Sequence, residues 1–126
     1  MNKTFLLLTF ISFISCHKER NYKYIENIKE LNSNSRIIHR KEYNIPAKND
    51  TLAYIKAYKK YSVSKRMMYQ LNKGGSTNPK DITHFQLFNR RGINITNINF
   101  TTKKEEEKKA DEYAEKIEIS YKIDTK

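Results

Sequence analysis

A chain of 126 residues with a net charge of +11, 37% hydrophobic and 31% charged, has the length of one compact domain and not of two. Nine Tyr and six Phe supply more large side chains than a disordered chain carries. The single cysteine, Cys16, excludes an internal disulfide and a cysteine metal cluster, and the charge points to anionic headgroups, acidic polysaccharide or acidic protein surfaces as partners.

Asn2 and Lys3 precede an apolar run from Phe5 to Ile14, broken by Thr9 and Ser12 and followed by the polar His17, Lys18, Glu19 and Arg20. This is the layout of a secretory signal, and the run is about half of the ~20 residues a bilayer-spanning helix needs. Phe13, Ile14, Ser15 and Cys16 resemble the lipobox of bacterial lipoprotein precursors, with Phe13 where Leu is usual. The resemblance covers the signal alone. It implies a diacylglycerol on the Cys16 thiol, cleavage before that residue, and, because His17 rather than Asp follows, a place at the outer membrane of the cell envelope. Residues 1–15 are then a signal peptide, 16–23 a lipidated tether and 24–126 one α+β domain. Removing residues 1–15 takes away Lys3 alone among charged residues, so the mature chain stays strongly basic.

Within the domain, Tyr24, Ile28 and Leu31 recur at helical spacing and suggest a short amphipathic helix. Residues 36–45, with Ile37, Ile38, Tyr43 and Ile45 before Pro46, suggest a strand. Asn49, Asp50 and Thr51 are capping types ahead of a segment free of Gly and Pro that ends at Gly74 and Gly75, so a helix over 52–71 follows. Tyr54, Ala57, Tyr58, Tyr61 and Met68 fall on one face of it, with Lys56, Lys59, Lys60 and Arg66 largely opposite. Thr83, Phe85 and Leu87, then Ile93 and Ile95 beyond Asn89-Arg90-Arg91-Gly92, suggest a hairpin with a bulge near Thr96 or Asn97. Thr102 and Glu105 form a capping box for a helix carrying Ala110, Tyr113, Ala114 and Ile117, and Ile117, Ile119, Tyr121 and Ile123 alternate as a strand with those side chains inward. The expected order is βαββαβ, that of the ferredoxin-like sandwich, in which two helices cover one sheet face and leave the other open.

Catalytic signals are few. His17, His39 and His84 are scattered, with no metal-ligand spacing, and no GxSxG, P-loop or GxGxxG occurs. Neither a cofactor nor a metal is expected, and nucleic acid is a poor match for an exported chain. The basic residues carry the strongest signal: Lys56, Lys59 and Lys60 on one helix face, with Arg90 and Arg91 at a turn, form a candidate anion-binding set. The lysines of the last helix sit among Glu105, Glu106, Glu107 and Asp111, which cancel their field. The expected function is a membrane-anchored, non-enzymatic protein-binding module. Binding of anionic envelope lipid or polysaccharide is the alternative, and a hydrolase using His39 or His84 as base is a third.

The Cys16→Ser chain is expected to remain uncut and unlipidated. Cells fed labelled fatty acid check this: label retained by the mutant protein contradicts the lipobox reading.

Overall fold

The computed structural model describes residues 18–31, 38–75 and 79–124. The signal segment and the proposed lipidation residue Cys16 lie outside the described residues, as does His17. The elements are β1 (Arg20–Glu30), β2 (Ile38–Ala47), α1 (Asp50–Lys73), β3 (Lys80–Phe88) and α2 (Lys103–Asp124). They form one antiparallel sheet of order β2-β1-β3. The order along the chain is therefore β-β-α-β-α, and the βαββαβ expectation is wrong at three places.

Residues 24–31 are not a helix: 24–30 belong to the central strand, and Leu31 is a bend just after it. β1 is hydrogen-bonded on both edges and runs buried from Tyr24 to Ile28, and it takes in the last four residues of the span read as a tether. Tyr22, Tyr24, Glu26 and Ile28 alternate toward one face; Glu26 and Asn27, polar yet buried, broke the apolar pattern that would have revealed it. The second correction concerns Ile93 and Ile95, whose segment makes only an isolated bridge, Phe88 with Asn94. Two backbone bonds join its arms, Asn89 N–H to the Ile93 carbonyl and Ile95 N–H to the Leu87 carbonyl, but side chains take the reciprocal ones: Asn89 Oδ1 accepts from the backbone N–H of Ile93, as well as of Arg91, and Thr96 Oγ1 accepts from that of Leu87. The register shift of the sheet lies elsewhere, where Thr83 is the extra residue opposite Asn27 and Ile28. Third, residues 117–123 continue α2 rather than forming a strand. No Gly or Pro interrupts Lys103–Asp124, and a strand there would need a reversal without linking residues.

The α1 reading holds. Asn49 caps the helix by accepting from Leu52 N–H at 2.9 Å, and it ends at Gly74, followed by Gly75 at φ 85°. Asn72 then clamps the start of β3 by bonding both the carbonyl and the N–H of Lys80, at 2.7 and 2.9 Å.

Both helices lie on the same side of the sheet. Tyr22, Tyr24, Ile45, Ala47, Phe85 and Leu87 meet Ala53, Tyr54 and Ala57 of α1 in the core. The ring of Phe85 lies within 5.1 to 6.4 Å of those of Tyr24, Tyr54, Tyr58 and Tyr61, separations at which aromatic pairs attract beyond their buried area. Four tyrosine hydroxyls in and around this cluster donate to carboxylates: Tyr22 to Asp50 (2.7 Å), Tyr24 to Glu26 (2.8 Å), Tyr54 to Glu107 (2.7 Å) and Tyr58 to Asp111 (3.4 Å). Ser62 Oγ also donates to Asp111, at 2.7 Å. Because Tyr54 meets Glu107 and Ser62 meets Asp111, α1 and α2 run in the same direction, and buried Ala110 and Ala114 allow the close approach. Among the described residues no buried side-chain nitrogen or oxygen lacks a partner.

Burial, reinforced by the carboxylate at each hydroxyl, pushes Tyr22 and Tyr58 up to about 12 from an ordinary value of 10.0, and moves Tyr24 and Tyr54 in the same direction. A folded value above the unfolded one stabilises fully below about pH 10 and is lost as pH rises toward 12. In an alkaline titration followed by tyrosinate absorbance and circular dichroism, a late group of tyrosines is expected to ionise together with unfolding. All nine tyrosines titrating before any loss of helix would contradict the buried pairs.

Candidate functional site

With both helices on one side, no described element covers the other sheet face. Strand alternation places Lys23, Ile25 and Asn27 of β1 on it, with Arg40, Glu42 and Asn44 of β2 and His84, Gln86 and Phe88 of β3. At the end where β1 begins and β3 stops, this face holds a shallow hollow of about 450 Å³. Ile25, only 3% exposed, lies at its floor beside Phe88, and Asn21, Asn44 and Asn89 contribute amides. Lys23, Arg40 and Arg90 bring three positive charges against the single carboxylate of Glu42. Among the described residues these three side chains have no ion pair or hydrogen bond, so an anion would meet donors that nothing else occupies.

Farther along the same face the hydrogen bonds match one tautomer of a neutral His84 ring. Thr83 Oγ1 must donate to the Asn27 carbonyl, at 3.2 Å, so it accepts from Nδ1–H of His84 at 3.1 Å. The bare Nε2 then accepts from the Asn27 amide at 3.3 Å, whose nitrogen also reaches Gln86 Oε1 at 3.5 Å. The Thr83 proton is thus turned away from the imidazole, which has no carboxylate behind it, and this pair lacks the wiring of a nucleophile and its base. His39 does bond a carboxylate, Glu30, at 3.2 Å, but on the exposed rim of β2, with β1 separating it from His84. No group of three or more His, Cys, Asp or Glu among the described residues could hold a metal ion.

The candidate set from the sequence is dispersed. Lys56 bonds the Pro46 carbonyl and lies 3.8 Å from Glu19. Lys59 turns toward α2, its Nζ 3.9 Å from the centre of the Tyr113 ring, whereas Lys60 turns to the sheet and sits 3.8 Å from that of Tyr43. Arg90 and Arg91 are exposed on the turn after β3, and Arg90 alone of the five lines the hollow. Lys23 and Arg40 were missed because one fell in the span read as a tether and the other on a strand whose partner had been read as a helix. The alternation of Asn21, Lys23 and Ile25, and of Arg40, Glu42 and Asn44, was the signal available.

Comparison of the chain with protein-family models, with curated proteins and with solved structures finds no match.

The ring contact makes Lys60 structural: Lys60→Gln is expected to cost about 0.5–1 kcal/mol, while Arg91→Gln stays within about 0.5 kcal/mol of the parent. Urea unfolding of the two variants decides. Equal stability would show that the lysine merely lies near the ring.

Proposed function

We propose that the chain is a lipid-anchored binding module of the bacterial envelope, held at the outer membrane through diacylglycerol on Cys16, and that the bare sheet face takes an acidic segment of a partner protein. The observation that carries this reading is the hollow in which Lys23, Arg40 and Arg90 converge without partners of their own. Charges arranged in this way speed encounter with an acidic partner and select against basic ones, while Ile25 and Phe88 supply apolar contact between them. A catalytic role has no support in the side chains around His39 and His84, which lack a nucleophile wired to either ring. No helix among the described residues is long and apolar enough to cross a membrane. An acidic envelope polysaccharide is the second reading, favoured by the amides of Asn21, Asn44 and Asn89 at the hollow, since an amide donates and accepts at once and matches sugar hydroxyls.

A photo-crosslinking residue at position 44, on the hollow, and a control at position 108, exposed on α2, separate these readings in intact envelopes. A discrete protein adduct from position 44 alone, reduced severalfold by Lys23→Glu with Arg40→Glu, is the expected result. A polydisperse adduct would favour the polysaccharide. Equal adducts from both positions would remove the bare face as the binding surface.

A further inference from the structure

We propose that the end of the domain nearest Cys16 rests on anionic lipid headgroups, an inference that depends on the anchoring reading above. Lys18, the first described residue, follows Cys16 by two positions, so even a fully extended chain separates them by only about 7 Å. That is within the ~8 Å over which charges act at physiological salt. A lipid on Cys16 therefore fixes which part of the domain meets the membrane, and the topology decides what that part carries.

Arg20 pairs with Ala47 at the end of β2, and Lys48 follows at once. Lys56 is drawn to the same end by Glu19 and by the Pro46 carbonyl. β3 finishes at Phe88 opposite Lys23, which delivers Arg90 and Arg91 on the next turn. Lys18, Arg20, Lys48, Lys56, Arg90 and Arg91 are all exposed there. The carboxylates beside them are Glu19, Asp50 and, in the hollow with Arg90, Glu42, the first paired with Lys56 and the second accepting from Tyr22. The first turn of α2 adds Lys103 and Lys104 but also Glu105 and Glu106, so it does not reverse the sign. Charge is therefore concentrated where the anchor emerges, whereas the opposite end of the sheet, where β1 stops and β3 begins, mixes Glu30 and Asp81 with Lys29 and Lys80. A cation near an anionic leaflet gains enough to raise binding about 5-fold, and the anchor keeps several of them there together.

The test uses the chain from residue 16 onward with Cys16→Ser, which retains every described element and carries no lipid, so its outcome is independent of whether cells acylate Cys16. Partition is measured into vesicles of phosphatidylglycerol with phosphatidylcholine and into phosphatidylcholine alone. Two variants remove the same formal charge. Arg20→Gln, Lys48→Gln and Arg91→Gln together are expected to weaken binding to the anionic vesicles on the order of 100-fold, and Lys108→Gln, Lys109→Gln and Lys116→Gln together by only a few-fold. Circular dichroism confirms that both variants fold. Equal losses in the two variants, or a parent chain that ignores anionic vesicles, would overturn the inference. Fatty-acid labelling of the full chain in cells judges the anchor separately: label without vesicle binding leaves the anchor and removes this surface.

Discussion

A tyrosine ring is easy to bury and its hydroxyl is not. Leaving a hydroxyl without a partner in an apolar setting costs about 1–3 kcal/mol by mutational measures, and much of the core beneath α1 is built from tyrosines. Each of the four hydroxyls described above is placed on a carboxylate, and two of those carboxylates, Glu107 and Asp111, belong to α2. The second helix is therefore fixed beside the first largely by polar contacts, with Ala110 and Ala114 as the apolar strip between them. Its acidic residues, which composition alone assigns to a solvated surface, are in part the acceptors that let the aromatic core be buried.

This arrangement decides what the surface can do. Holding α2 against α1 gathers both helices on one side of a three-stranded sheet and leaves the other side to the alternate residues of each strand. The core also consumes cations. Lys59 and Lys60 lie over the Tyr113 and Tyr43 rings, and Lys103 lies near the Tyr54 ring while bonding the Ile98 carbonyl. What remains for a partner is a smaller set than the net charge suggests, gathered where β1 begins, in the hollow of the bare face and around Lys18 and Arg20, with Arg90 common to both.

The sequence was legible where local chemistry decides the outcome. Asn49 and Gly74 bound α1 because capping and termination are local effects, and the 38–47 strand stops just after a proline that an edge strand tolerates. It was illegible where tertiary pairing decides. β1 is the middle strand, so neighbouring side chains shield even Ile25 on the uncovered face, and the period-2 signal is blurred by it and by Glu26 and Asn27, whose polarity is satisfied by Tyr24 two residues away and by His84 on β3. The alternation at 117–123 is compatible with either period, and an uninterrupted helix prevailed over a strand that needed a turn. The hollow was hidden for the same reason: until β1 is known to lie between β2 and β3, nothing brings Lys23, Arg40 and Arg90 together.

That the tyrosine–carboxylate contacts hold the helical layer in place is tested most directly by a double-mutant cycle on Tyr54 and Glu107, the 2.7 Å pair joining the two helices. Urea unfolding of Tyr54→Phe, Glu107→Gln and the double variant gives the coupling between them. A favourable coupling of about 1–2 kcal/mol is expected for a partly buried hydrogen bond to a charged acceptor. Strictly additive losses would show that this hydroxyl–carboxylate bond does not help dock α2 and would contradict the central role of the hydroxyls.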